Sequence, residues 1–329
     1  MKILEVNNID LQGRRFNGYD LIKYINSETE HGATQIVNIK TSDCNNVYPL
    51  YKSEIGKMIE NSLSIVESEL LSVHSIISIS EWALINSEVY KDADLIHFHM
   101  YHNSKIGIYS LLKMAKEKKV VLTLHDPWFL TGRCVHQYDC PNWKTGCSKC
   151  PNLTTLFPMT EDNCKSLWKL KNKVFHSVNI DIIVASLFMR DMVKNSPIMD
   201  NQDNIHLIPL GIDINYFYDN RTRDELKKKY NILSDNIVLF FRAQKEFKGT
   251  EYIVEALDKL KCDKKITLIT CSEKGLLEKL ENRYQVIELG TINNEEMLEA
   301  YRLCDIFLMP SKGETFGLMA VEAMSCSRP

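Results

Sequence analysis

Short apolar, often β-branched runs alternate with stretches whose apolar residues recur every three to four positions. This alternation constrains the chain more than anything else in it. The runs are residues 2–8 (KILEVNN), 34–40, 94–100, 120–125, 181–186 and 205–210. Helical spacing fills 19–28 and 105–119 between them. Such order predicts a parallel sheet covered by helices, an α/β architecture. The pattern pauses at Pro209-Leu210-Gly211-Ile212-Asp213 and then starts again. Strands are expected at 236–243, 265–271, 285–290 and 305–311, with helices at 249–261, 274–282 and 295–302. Two Rossmann-like, doubly wound domains follow, 1–210 and 211–329, facing a cleft at the carboxyl ends of their strands. The second has about four strands before the chain stops, so it reads as incomplete at its C-terminus.

The bulk properties fit this. A length of 329 residues suits two domains. A net charge of −3 gives no general attraction to nucleic acid or acidic lipid. Met1-Lys2 leads straight into the first strand, not into a signal peptide, and no apolar run is long enough to span a bilayer. The expected location is cytoplasmic. There, ten cysteines are thiols or metal ligands sooner than disulfides. Cys44, Cys164, Cys262, Cys271, Cys304 and Cys326 are scattered and read as small core residues.

The sharpest chemical signal is PSKGETFGLMAVEAM, residues 310–324. A strand closes at Pro310-Ser311, a glycine-containing loop follows, and a helix begins after Gly317. The unpaired N–H groups and positive dipole end of a helix suit a diphosphate. Glu314 in the loop and Glu322 in the helix's second turn are spread along one ligand, not opposed like a hydrolase acid–base pair.

Glu314-x7-Glu322 with Phe316-Gly317 resembles the signature of retaining glycosyltransferases of the GT-B fold, of the family-4 type. PLGIDINYF (209–217) is similar to that family's interdomain stretch, and FRAQKEFKGTEYIVEAL (241–257) to the segment carrying its Arg and Lys-Gly. The resemblance implies a nucleotide-sugar donor, UDP- or GDP-linked, with Arg242, Lys248 and Gly249 at its diphosphate. It also implies Glu314 on the donor sugar, Glu322 on the ribose, and the backbone of Thr315, Phe316, Gly317 and Leu318 against the donor. The expected reaction moves a sugar, with retention, to a hydroxyl of a glycan or lipid-linked glycan in cell-surface polysaccharide biosynthesis, with no metal in the chemistry. The rivals are an inactive nucleotide- or glycan-binding protein, a nucleotide-sugar epimerase on the same fold, and a zinc-organised interaction module.

In the first domain the family's Gly-Gly pair is replaced by Gly13, Arg14-Arg15 and Gly18. Either arginine supplies charge to the donor or both are solvated. His97 and His99 share a strand face, without a third ligand from the same element, and read as a polar strand end. His125 ends the strand 120–125, where the resemblance places a histidine beside the donor sugar; Asp126 is an acceptor base or a loop cap. Cys134, Cys140, Cys147 and Cys150 fall within 17 residues and include a C-x-x-C. They suit a structural zinc, with His136 as substitute ligand, or redox-sensitive thiols, or plain loop packing. KSLWKLKNKVF (165–175) is a surface helix or a peripheral contact with the inner face of a membrane.

Overall fold

The computed structural model describes residues 1–76, 78–155 and 157–329. They form two compact units, Met1–Leu210 and Gly211–Pro329. Unit 1 holds strands β1 (Lys2–Ile9), β2 (Gly32–Ile39), β3 (Val47–Pro49), β4 (Leu95–His99), β5 (Lys119–Leu124), β6 (Asp181–Val184) and β7 (Ile205–Leu207). Its helices are α1 (Tyr19–Glu28), α2 (Glu54–Ile65), α3 (Ser80–Asn86), α4 (Glu88–Asp92), α5 (Ser110–Glu117), α6 (Cys164–Phe175) and α7 (Leu187–Lys194). Unit 2 holds α8 (Arg223–Lys229), β8 (Ile237–Ala243), α9 (Thr250–Lys259), β9 (Ile266–Ser272), β10 (Gln285–Glu288), α10 (Asn294–Leu303), β11 (Ile306–Leu308) and α11 (Leu318–Ser325).

Among the described residues the first sheet runs β3-β2-β1-β4-β5-β6-β7 and the second β10-β9-β8-β11. Every pairing is parallel. Parallel strands are covered on both faces, which is why β4, β5 and β9 are buried along almost their whole length. Strand order reverses between β1 and β4 in one sheet and between β8 and β11 in the other. Connections depart in opposite directions at such a point and leave a crevice beyond the strand ends.

The core of unit 1 gathers Leu4, Ile96, Phe98, Leu122, Phe175 and Ile182, all nearly inaccessible. That of unit 2 centres on Phe240, Tyr301 and Phe307, whose rings meet at 5.5–5.6 Å. Four of the six scattered cysteines, Cys164, Cys271, Cys304 and Cys326, are buried; Cys44 is half-buried and Cys262 exposed.

Two helix expectations are corrected. The stretch 105–119 is helical only from Ser110, because Ile108 N donates to Ser75 O at 2.8 Å and a Cβ on Gly107 would stand 2.6 Å from Ile76 O. Another segment claims that backbone first. Residues 274–282 contain only the 3₁₀ turn Glu278–Leu280, since Gly275 has φ +75° and its N–H is held by Glu288 at 2.9 Å. No helix of the described residues is long and apolar enough to cross a membrane. In α6 Leu167, Lys171, Val174 and Phe175 are buried, Trp168 and Leu170 half-buried, and Lys165, Lys169 and Lys173 exposed.

Candidate functional site

Loops after β8 and β11 meet at the switch point of the second sheet. A Cβ on Gly249 would lie 2.0 Å from Pro310 O, and its φ is +69°. Only glycine lets the two backbones approach so closely. Lys312 N donates to Phe247 O at 2.8 Å, and Lys312 pairs with Glu251. Lys248 Nζ reaches Glu314 Oε2 at 2.7 Å, both side chains mostly buried. Burial pushes the Glu314 carboxyl up, but Lys248 and hydrogen bonds to the Thr315 and Gly317 backbone outweigh it and hold the group below its ordinary value. Arg242, at the end of β8, is exposed.

Helix α11 starts at Gly317, φ +83°, with no side chain capping it. Caps do occupy α2, α4, α7 and α10, through Ser53, Ser87, Ser186 and Asn293. No side chain takes the first-turn donors of α11, and the positive end of its dipole suits an anion. Thr315, Phe316 and Leu318 line this loop half-buried. Glu322 lies one turn deeper with no exposed surface, and Tyr301 Oη donates to its Oε2 at 2.8 Å. The sequence reading overlooked Tyr301, which nothing but its place on α10 connects with Glu322.

At the switch point of the first sheet, the loop between β1 and α1 folds over the strand ends. Gly13 has φ +74° and its ideal Cβ would be 2.7 Å from the Phe16 ring; Phe16 in turn packs 5.3 Å from His125. Asn17 ties the loop by donating to the carbonyls of Ile9, Asp10 and Gln12. Arg14 pairs with Asp20 at 2.8 Å, so that charge is already answered. His125 follows β5, where burial and the neighbouring His99 and His97 push its pKa well below the ordinary value. Asp126 caps the next turn, accepting from Trp128 N at 2.9 Å, and faces His102 at 3.5 Å. Asp92 and Asp94, a D-x-D in sequence, hold Lys2 at the opposite end of β1.

The four loop cysteines lie near enough to act on one another's thiols, without three sulfur atoms within 4.8 Å of one another. Among the described residues the one group of three or more ligand types with atoms within 4.8 Å is Glu5, His97 and His99. Cys147 Sγ accepts from Gly132 N at 3.1 Å, and Cys150 Sγ donates to Asn152 O at 3.2 Å. Burial pushes the Cys147 thiol up to about 11, so it stays protonated at neutral pH. Buried cations brace the loop. Arg133 donates to the carbonyls of Asn152 and Phe157 at 2.7 and 3.0 Å. Lys171, from α6, donates to those of Trp128, Thr131 and Gly132 at 2.6, 3.0 and 3.3 Å.

Comparison with known proteins fits the second site most directly. Residues 222–329 match the family model "Glycosyl transferases group 1". The putative colanic acid biosynthesis glycosyl transferase WcaC of Escherichia coli is 34% identical over 91 residues, 26% of this chain and 22% of that one. An uncharacterized glycosyltransferase of Methanocaldococcus jannaschii is 23% identical over 229 residues, 59% of this chain and 57% of its own. The chain thus spans under two thirds of these relatives. The crystal structure of Anabaena HepE with UDP and glucose superposes with a TM-score of 0.62 at 15% identity, covering 100% of this chain and 79% of that one. The fold is GT-B.

Proposed function

We propose that the chain is a retaining glycosyltransferase that moves a sugar from a nucleotide-sugar donor to a hydroxyl of a glycan acceptor in cell-surface polysaccharide biosynthesis. The observation that carries this is the Lys248–Glu314 pair at 2.7 Å, set at the β8/β11 switch point beside the uncapped start of α11. A diphosphate leaving group accumulates negative charge as the glycosidic bond breaks. Lys248, Arg242 and the first-turn amides of α11 answer that charge with no metal. Glu314, held ionised by Lys248, accepts hydrogen bonds from donor sugar hydroxyls. Gly249 and Gly317 let the donor lie against backbone. Glu322, steadied by Tyr301, stands behind the loop on the ribose side.

HepE is solved with UDP and glucose, and its likeness in fold supports a uridine nucleotide over a guanosine one. The relative named for colanic acid biosynthesis supports a polysaccharide acceptor. His125, in unit 1, is the residue of that unit assigned to the reacting sugar.

The test is a thermal-shift panel of UDP- and GDP-sugars on the full chain with Lys248→Ala and Glu314→Ala. One nucleotide sugar should stabilise the parent by about 2.7 kcal/mol at a hundredfold excess over its Kd, and neither variant should respond. No response from the parent, or an undiminished one from both variants, sinks the reading. A nucleotide sugar altered without any acceptor would instead indicate an epimerase.

A further inference from the structure

Behind His125 four polar side chains stand in one line across three neighbouring strands. Glu5 of β1 is opposite His97 of β4, and His99, two residues on, is opposite Thr123 of β5. Side chains two apart share a face of the sheet, so register alone gathers these groups. Thr123 Oγ1 lies 2.7 Å from His97 Nε2. His97 Nδ1 is 3.0 Å and His99 Nε2 2.8 Å from the same oxygen, Oε2 of Glu5. His99 Nδ1 then meets His125 Nε2 at 3.1 Å. Gly18 covers the line from above, where any Cβ would come within 3.0 Å of the Glu5 side chain.

Glu5 has no exposed surface, and His99, His97 and Thr123 are only 5, 7 and 8% exposed. A carboxylate so placed persists only if hydrogen-bond donors surround it. The two nitrogens that face it therefore carry hydrogens. His97 is the Nδ1–H tautomer and accepts from Thr123 through Nε2. His99 is the Nε2–H tautomer, and its Nδ1 is left as an acceptor. The Phe16 carbonyl also accepts from both rings, and with His99 Nδ1 an acceptor the nitrogen of His125 that faces it is the donor. Burial favours the neutral ring at His99 and at His125.

Glu5, His97 and His99 also have the residue types of a metal site. Distance argues against one. Bonds of ~2.0–2.1 Å in a tetrahedron set ligand atoms about 3.3 Å apart. The 2.8 Å between His99 Nε2 and Glu5 Oε2 is the length of a charge-assisted hydrogen bond.

We propose that Glu5 and His99 are positioning residues for His125, holding its ring in the Nε2–H tautomer and in place against Phe16. This rests on the assignment of His125 to the reacting sugar. A ring fixed this way cannot turn without breaking a buried bond. It is the logic by which a carboxylate sets a histidine's tautomer, here transmitted through a second imidazole.

The test is nitrogen-15 NMR of the histidine side chains of the full chain at pH 8. His99 and His125 should both show Nε2–H and His97 Nδ1–H. In Glu5→Gln, His125 should move to a mixture of tautomers, whereas in Thr123→Val it should not change. An Nδ1–H His125 in the parent overturns the proposal, as does a folded Glu5→Gln with an unaltered His125. Stoichiometric metal whose chelation shifts both His97 and His99 overturns it as well. If Glu5→Gln does not fold, the parent's tautomers decide. With turnover in hand, Glu5→Gln should lower kcat about tenfold or more and leave the donor KM unchanged. The nucleotide-sugar panel reads unit 2 and the tautomers read unit 1, so either reading can fail without the other.

Discussion

At Gly249 a β-carbon would stand 2.0 Å from the Pro310 carbonyl oxygen, in a backbone conformation that L-residues avoid. Gly249→Ala must therefore separate the two loops that bring Lys248 to Glu314. The expected cost is about 1–3 kcal/mol of stability by urea unfolding, together with loss of the nucleotide-sugar response. Glu5 gives a second residue-scale outcome. Burial raises its carboxyl, but His97 and His99 pull it down to about 2. A depressed carboxyl contributes stability above its unfolded value near 4.5, and loses it as pH falls toward 2. Glu5→Gln should flatten that acid limb in unfolding measured from pH 5 to pH 2.5. Both residues stand in plain view in the sequence. Gly249 was legible because a Lys-Gly pair after a strand is a local pattern. Glu5 was not, because its partners lie some ninety residues away on a neighbouring strand.

Among elements, the loop from 126 to 163 shows what the cysteines concealed. Lys171 reaches from α6 to three of its carbonyls and lies 3.5 Å from the Trp128 ring centroid. Burial pushes its pKa down to about 7. The unfolded chain then binds a proton that the fold releases between about pH 7 and the ordinary lysine value. Stability should rise with pH across the lower part of that window. Above about pH 9 the raised thiols, Cys147 among them, work in the opposite direction. Urea unfolding at pH 7 and 8.5 should show this rise in the parent and not in Lys171→Met. That variant should also lose about 2–4 kcal/mol, because three buried carbonyls lose their donor. Four clustered thiols suggested a metal, and that pattern said nothing of the cations that brace the same loop. A lysine in a helix looked solvated until the element it packs on was known.

For the molecule as a whole, the two parallel sheets reverse their order once each, at β1/β4 and at β8/β11. Of the residues assigned to donor and reacting sugar, Gly13 follows β1, His125 follows β5, Arg242 ends β8, and the others lie in the loops and helix after β8 and β11. If the proposed reaction is right, an α-linked donor sugar should appear α-linked in the product, read from the anomeric proton coupling by NMR. An inverted product would remove the retaining assignment and leave the donor site standing.

The βα alternation, the pause at 209–213, and the Lys248-Gly249 and Glu314-x7-Glu322 patterns are short-range features, and the sequence by itself determined them. Periodicity states which face of an element is apolar, and a glycine before a helix states where backbone can approach a ligand. What only the tertiary structure decided depends on strand register and side-chain direction. It put Tyr301 on Glu322, set Lys171 and Arg133 under the cysteine-rich loop, and set Glu5 and His99 behind His125. Parallel strands pair through crossovers of tens of residues, so no local pattern in the chain records which side chains will share a face across β1, β4 and β5.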